Sequence, residues 1–271
     1  QQSVAACFLS TVVPGILTMT AMCIINFVMC RNIPTIQVDP PLPSRERNVV
    51  IAKAFKRGVW SLLMPVIILG GIYGGVTTPT ESAAVAVAYA VFVGFLIHRE
   101  LNGKILWKSL YDAATTSGVI ILMLFFVTIL GRIYTMQQVP QKIAAFLLSF
   151  SDNKIVILLM VNVFLIIIGM LMDDLSGTML SAPLLMPLML QIGVHPVHFA
   201  AILGTNLGLG NVTPPTAPIL YLGGRIGNVP IDQYIKPALI FMIFGNLPII
   251  ILTTYFPGLS LWLPRLVMGI K

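Results

Sequence analysis

Charge is scarce in this chain: Asp, Glu, Lys and Arg make up 9% of residues, against roughly a quarter in soluble domains. With 57% apolar residues and a mean hydropathy of +0.95, this excludes a water-soluble globular domain and points to the membrane class. Cysteine is nearly missing too. Cys7, Cys23 and Cys30 form no Cys-x-x-Cys pair and sit in or beside one apolar segment, so they read as small apolar side chains, not a redox motif. There is no Gly-x-x-x-x-Gly-Lys-Ser/Thr motif, which excludes ATP binding through a P-loop and leaves an ion gradient or a partner's ATPase to drive uphill work. The net charge of +7 would fit a nucleic-acid binder. The basic residues instead avoid the apolar runs and gather between them, so no nucleic-acid partner is expected. His195 and His198 have helical zinc spacing, but Pro196 and the lack of a third ligand speak against zinc. The chain opens with Gln1 and runs into an apolar segment without a basic n-region, which reads as part of a longer polypeptide and not as a signal peptide.

What is present is a pair of apolar stretches broken by the same residue types. The first reads Gly70-Gly71-Ile72-Tyr73-Gly74-Gly75-Val76-Thr77-Thr78-Pro79-Thr80-Glu81, and the second Gly208-Leu209-Gly210-Asn211-Val212-Thr213-Pro214-Pro215-Thr216-Ala217-Pro218. Backbone freed by Gly and Pro at membrane depth costs several kcal/mol per unsatisfied group unless protein, water or an ion satisfies it. Paired interruptions are therefore a pointer to a transporter's central site. Residues 76–80 match residues 212–216 at four of five positions, a hint of internal symmetry too short to establish it.

The predicted fold is all-α and polytopic, a single integral membrane region over 1–271 with helical hairpins and discontinuous helices. Its parts are an N-terminal helix with a basic, Pro-rich cytoplasmic linker (1–58), a broken helix pair meeting near 77–80 (59–110), and spanning and interfacial helices (111–150). A re-entrant hairpin follows (151–193), then an unwound helix, a last span and a tail (194–271). The hairpin pairs the apolar run 155–172 with an arm that Pro183 and Pro187 are expected to shorten. Arg225 and Lys236 mark an inner loop, and Trp262 and Arg265 an external tail. This topology puts eleven of the sixteen Lys and Arg residues inside, in line with the positive-inside rule.

Three acids fall at membrane depth: Glu81, Asp173 and Asp174. A charge at a helix centre costs about 2.5–3.5 kcal/mol on insertion scales, which makes them functional candidates. Asp173 and Asp174 either ligate an ion or cap the arm starting near Leu175. With Ser176, Gly177 and Thr178 they supply carboxylate, hydroxyl and carbonyl oxygens, the hard ligands that suit a hard cation. In the second break, Pro214, Pro215 and Pro218 lack amide hydrogens and release carbonyls one turn earlier. Carbonyls near Gly208, Gly210, Val212 and Thr213 then attract cations, while Asn211, Thr213, Pro214 and Thr216 border the next half-helix, whose N-terminus attracts anions. A purely structural kink is the alternative. Thr78, Thr80 and Glu81 form a secondary set, since they also read as an ordinary helix start.

Residues 70–85 (Gly-Gly-Ile-Tyr-Gly-Gly-Val-Thr-Thr-Pro-Thr-Glu-Ser-Ala-Ala-Val) and 206–218 (Asn-Leu-Gly-Leu-Gly-Asn-Val-Thr-Pro-Pro-Thr-Ala-Pro) resemble signatures of the large membrane subunit of tripartite ATP-independent periplasmic (TRAP) transporters. The tip Gly169-Met170-Leu171-Met172-Asp173-Asp174 fits the same subunit, of which the chain corresponds to roughly the C-terminal two-thirds. The resemblance implies an elevator-type transporter in the bacterial inner membrane, surrounded by membrane lipids. It would take up an organic acid delivered by a periplasmic binding protein, coupled to sodium, and work with a small four-helix membrane subunit, separate or fused. It assigns the second hairpin tip to Asp173–Thr178 and the second unwound helix to Gly208–Pro218. The first hairpin and its partner helix are expected before Gln1. C4-dicarboxylates, 2-oxo acids and sialic acids are the implied substrates, and several turns are similar to sialic-acid members. Two other readings compete. An intramembrane aspartyl hydrolase needs two carboxylates facing each other across a water, and a solute-free membrane scaffold subunit leaves both breaks unexplained.

Overall fold

The computed structural model describes residues 2–31 and 43–269, and among them the chain forms twelve α-helices, two π-helical turns and no strand. Six helical stretches are long and apolar enough to cross a membrane: 4–30, 45–73, 79–97, 103–136, 154–171 and 231–255. The chain is an all-helical polytopic membrane protein. It divides into two compact units, 1–32 with 120–271, and 33–119.

In the larger unit, α1 (Val4–Cys30) starts at an N-cap, Ser3, and carries Pro14 inside the helix. α4 (Gly103–Met136) contributes its second half, and α5 (Val139–Phe150) is the short amphipathic helix the sequence predicts. The core is built by α6 (Lys154–Leu171), α7 (Asp174–Gln191) and α8 (Pro196–Gly210). Ile157, Val161, Leu165, Leu188, Phe199 and Ile202 are completely buried there. Lipid tails are as apolar as these side chains, so close van der Waals packing holds the helices together more than expulsion of water does. α9 (Pro218–Ile226) follows the second break. α10 (Ile231–Ile240), a π turn (Phe241–Asn246) and α11 (Leu247–Tyr255) form one rod, against which Leu209 of α8 packs through Met242 and Ile250. α12 (Pro257–Met268) packs on α1 and α8 through Leu261, Ala6 and Val197.

In the smaller unit, α2 (Ser44–Tyr73) and α3 (Pro79–Phe92), extended by a π turn (Val93–Ile97), meet across residues 74–78. The Tyr89 hydroxyl donates to the Trp60 carbonyl at 2.7 Å and clips the two helices together.

Several boundaries differ from the sequence expectation. Pro34, Pro40 and Pro41 of the expected linker lie outside the described residues. Arg45, Arg47, Lys53, Lys56 and Arg57, assigned to that linker, instead occupy the first turns of α2, because nothing between Arg45 and Pro65 breaks a helix. Pro183 and Pro187 do not shorten α7, which has 18 residues like α6; each proline removes one donor but keeps a helical φ. Lys236 lies within α10 rather than in a loop, and the expected tail is α12.

A buried polar cluster crosses the core. Asn162 Oδ1 accepts from Asn206 Nδ2 and from Thr254 Oγ1, each at 3.0 Å, and Asn206 Nδ2 also donates to Ile202 O at 2.8 Å. The cluster joins α6, α8 and α11, and all three side chains are buried. Interhelical hydrogen bonds of this kind contribute about 0.6 kcal/mol on average in a folded membrane protein, rising to about 1.7 kcal/mol at most. Asn206→Leu is therefore expected to lower the thermal midpoint of the detergent-solubilised protein by that order of stability. An unchanged midpoint would remove the cluster from the list of contacts that hold the helices.

Candidate functional site

The corner between α6 and α7 is tight. Met172 N–H still donates to Ile168 O at 2.9 Å, then Met172 and Asp173 are extended and α7 begins. Asp173 is the N-cap: its Oδ2 accepts from Leu175 N at 3.1 Å and Ser176 N at 3.4 Å. One carboxylate oxygen is thus committed to the helix end, and Oδ1 is left for another partner. Asp174 lies in the first turn, where the positive helix end favours its charge. Gly177 is buried against Leu207 of α8, and Thr178 is exposed.

The second break is real, and its backbone explains it. At the end of α8, Val212 N donates to Leu209 O at 3.2 Å and Thr213 N to Gly210 O at 2.9 Å, so the last turns tighten from i+4 to i+3 bonding. Pro214, Pro215 and Pro218 then offer no N–H, the Pro214–Pro215 peptide is cis, and Ala217 takes a left-handed φ of 32° before α9. Among the described residues, the carbonyls of Gly208, Asn211, Val212, Thr213 and Pro214 receive no hydrogen bond. Gly210 O, by contrast, is already used by Thr213 N. Asn211 is 5% exposed, and its Oδ1 has no partner among the described residues.

These two elements are brought together. An ideal Cβ on Gly210 would lie 2.3 Å from the Gly169 carbonyl carbon, so the ends of α6 and α8 touch backbone to backbone. Thr216 Oγ1 donates to Met170 O at 2.5 Å, bridging the far side of the break to the hairpin. The Asn211 side chain lies beside the Asp174 carboxylate. Thr213 Oγ1 donates to Leu209 O at 2.7 Å, which fixes the hydroxyl and leaves its lone pairs. On the other side of α8, Gly208 lines a 420 Å³ cavity together with Thr11, Thr18, Thr205 and Asn246. Carboxylate, amide, hydroxyl and naked carbonyl oxygens, the donor types that suit a hard, small cation, are thus all present on the hairpin corner and the break that packs against it.

Thr78, Thr80 and Glu81 belong to the smaller unit. There Glu81 Oε2 accepts from Thr78 N at 2.7 Å and from Thr78 Oγ1 at 2.8 Å, while Glu81 N donates to Thr78 Oγ1 at 3.3 Å. This is a complete capping box, and the ordinary helix start accounts for all three contacts. The two breaks therefore differ despite their matching residues: Pro79 opens α3 directly, whereas Pro215 stays inside the gap and the helix resumes only at Pro218. The sequence reading missed Asn162, Asn206 and Thr254. The signal was available, because an amide in the middle of an otherwise apolar run is expensive unless paired.

A helical hairpin seated on a broken helix inside a multi-pass membrane protein is the arrangement found at the centre of secondary-transporter permeases. Comparison with known proteins agrees. Residues 1–259 match the family model described as the DctM component of tripartite ATP-independent periplasmic transporters, and the chain belongs to that family. It is 37% identical over 266 residues to the isethionate TRAP transporter permease protein DctMQ of Oleidesulfovibrio alaskensis, covering 97% of this chain and 40% of that protein. It is 34% identical over 267 residues to the sialic acid TRAP transporter large permease protein SiaM of Vibrio cholerae, covering 98% and 61%. With the C4-dicarboxylate TRAP transporter large permease protein DctM of Pseudomonas aeruginosa it shares 31% over 269 residues, again 98% and 61%. The chain thus spans between two-fifths and three-fifths of these relatives' lengths. All three are named permease proteins, not enzymes, and Asp173 and Asp174 sit side by side at one helix end rather than facing each other as a hydrolase would require.

Proposed function

We propose that this chain forms the second half of the substrate and ion site of a sodium-coupled importer in the bacterial inner membrane. The cargo is a small organic acid, such as sialic acid or a C4-dicarboxylate, delivered by a periplasmic binding protein. A small four-helix membrane subunit, separate or fused, serves as the scaffold against which the hairpin and broken helix move in an elevator motion. The observation that carries this reading is the docking of the α6–α7 corner on the carbonyl-rich break after α8.

Each group has a role in this scheme. Asp173 Oδ1, Asp174, the carbonyls of Gly208 and Val212, the second lone pair of Gly210 O and the Thr213 hydroxyl oxygen are the sodium ligands. Ser176, Thr178 and Asn211 offer hydroxyl and amide donors to the cargo's anionic group, while Thr216, whose proton goes to Met170 O, ties the break to the hairpin beside it. Gly177 keeps the start of α7 close to α8, and Pro214 keeps the neighbouring backbone open. The N-terminus of α7 adds its positive dipole end. Sodium neutralises the acids as the anion arrives, so each ligand favours binding of the other. The relatives' names cover carboxylates and a sulfonate, which fits a site that reads negative charge through neutral donors.

The test is uptake into proteoliposomes holding the full-length permease, with purified binding protein outside. Accumulation is expected only when an inward sodium gradient and the binding protein are both present, falling at least tenfold when either is omitted. Uptake that persists without sodium would end the coupling, and a complex that moves no organic acid under any gradient would leave a scaffold subunit instead.

A further inference from the structure

A second polar cavity, of 340 Å³, lies in the larger unit away from the hairpin corner. It opens where three helices begin: Lys154 is the first residue of α6, His195 is the N-cap of α8, and Pro257 starts α12. Arg265, two turns along α12, completes the wall, and no carboxylate lines the cavity. Lys154 Nζ donates one proton to Gly193 O at 3.2 Å and keeps two for another acceptor. His195 Nδ1 accepts from Val197 N at 3.2 Å, so its Nε2–H remains to donate. Two cationic side chains and one imidazole donor thus line a space without a carboxylate, where the N-terminal ends of α6, α8 and α12 meet the C-terminal ends of α7 and α11.

The position says where the anion comes from. Lys154 opens one apolar span and Tyr255 closes another, so the cavity sits at the level of a membrane–water interface. Tyr255 donates its hydroxyl to Ile155 O at 2.9 Å, and Trp262 stands exposed nearby on α12, the aromatic and basic pattern of a headgroup layer. From the rim, Ile155 and Leu159 run down α6 one turn apart, both more than half exposed, a track on which an acyl chain can lie. We propose that this cavity binds the phosphate of an anionic glycerophospholipid, clasped by Lys154, Arg265 and His195 Nε2–H. The inference needs only the membrane setting and stands apart from the transport reading.

Native mass spectrometry of the full-length protein titrated with phosphatidylglycerol tests it. Each Lys or Arg near a lipid surface is worth about 1 kcal/mol, roughly fivefold in affinity. K154Q/R265Q is accordingly expected to lose one retained phosphatidylglycerol with about a thirtyfold weaker affinity. K154R/R265K, which preserves both charges, is expected to keep it. A parallel arm measures the thermal midpoint with millimolar inorganic phosphate. Equal lipid retention in wild type and K154Q/R265Q overturns the proposal, as does loss of the lipid in a folded K154R/R265K. Stabilisation by inorganic phosphate without retention of phosphatidylglycerol overturns the lipid source and assigns the cavity to a free anion.

Discussion

Alanine at Gly210 is expected to cut uptake by about a hundredfold while leaving the protein in the membrane. The added methyl would meet Gly169 backbone at 2.3 Å for the carbonyl carbon, 2.4 Å for Cα and 2.8 Å for the oxygen. No flexible side chain can swing aside to relieve this, so the end of α6 must back away from α8 by about an ångström. Overpacking of that kind costs about 1–3 kcal/mol, and the displacement falls on the Thr216–Met170 bridge and the Asn211–Asp174 contact that form the corner. A shift of about 1 Å in a positioned site can cost on the order of a hundredfold in rate. Initial uptake in proteoliposomes reads the effect, and the thermal midpoint should fall with it. Gly208 is the control: a Cβ there meets no heavy atom within 4 Å, so Gly208→Ala should keep the wild-type midpoint. Wild-type uptake by Gly210→Ala would mean the corner is not where solute binds.

Removing oxygen ligands at the break should shift sodium dependence rather than maximal rate. Thr213→Ala deletes one side-chain oxygen of the sodium set, and a hydrogen bond or contact to a charged group contributes about 1.5–3 kcal/mol. The half-saturating sodium concentration is therefore expected to rise about ten- to a hundredfold in Thr213→Ala, with uptake recovering at high sodium. Asp173 needs a finer substitution because it is both cap and ligand. Asp173→Asn retains an acceptor for Leu175 N and Ser176 N, whereas Asp173→Ala also removes the cap and about 1 kcal/mol of helix stability. Asp173→Asn should thus weaken sodium affinity at near-normal stability. Unchanged half-saturation in both Thr213→Ala and Asp173→Asn would move the ion to other residues.

The large divisions of the fold were legible because they depend on chemistry that sequence displays directly. Apolar run lengths located α1, α4 and α6, and the missing amide hydrogens of Pro214, Pro215 and Pro218 located the second break. The hairpin was legible from one polar patch between two apolar arms. What the sequence concealed was geometry that depends on tertiary neighbours. Nothing in Gly169 or Gly210 alone announces that they meet, and the side-by-side Asp173 and Asp174 could not be told apart as cap and first-turn acid. The matched residues of the two breaks misled in a different way. They resemble each other in letters, yet a single left-handed residue, Ala217, displaces the second helix start by three positions.

The 30 residues of α2 make a rod of about 45 Å, while the hydrocarbon layer is only about 30 Å deep. Its early turns hold five of the chain's cations and its later turns are apolar, so the surplus length falls on the charged end, in one continuous helix rather than a slack tether. Pro65, which removes one helical donor between that charged arm and Tyr73, is the point at which a pull on the arm can be taken up as a bend.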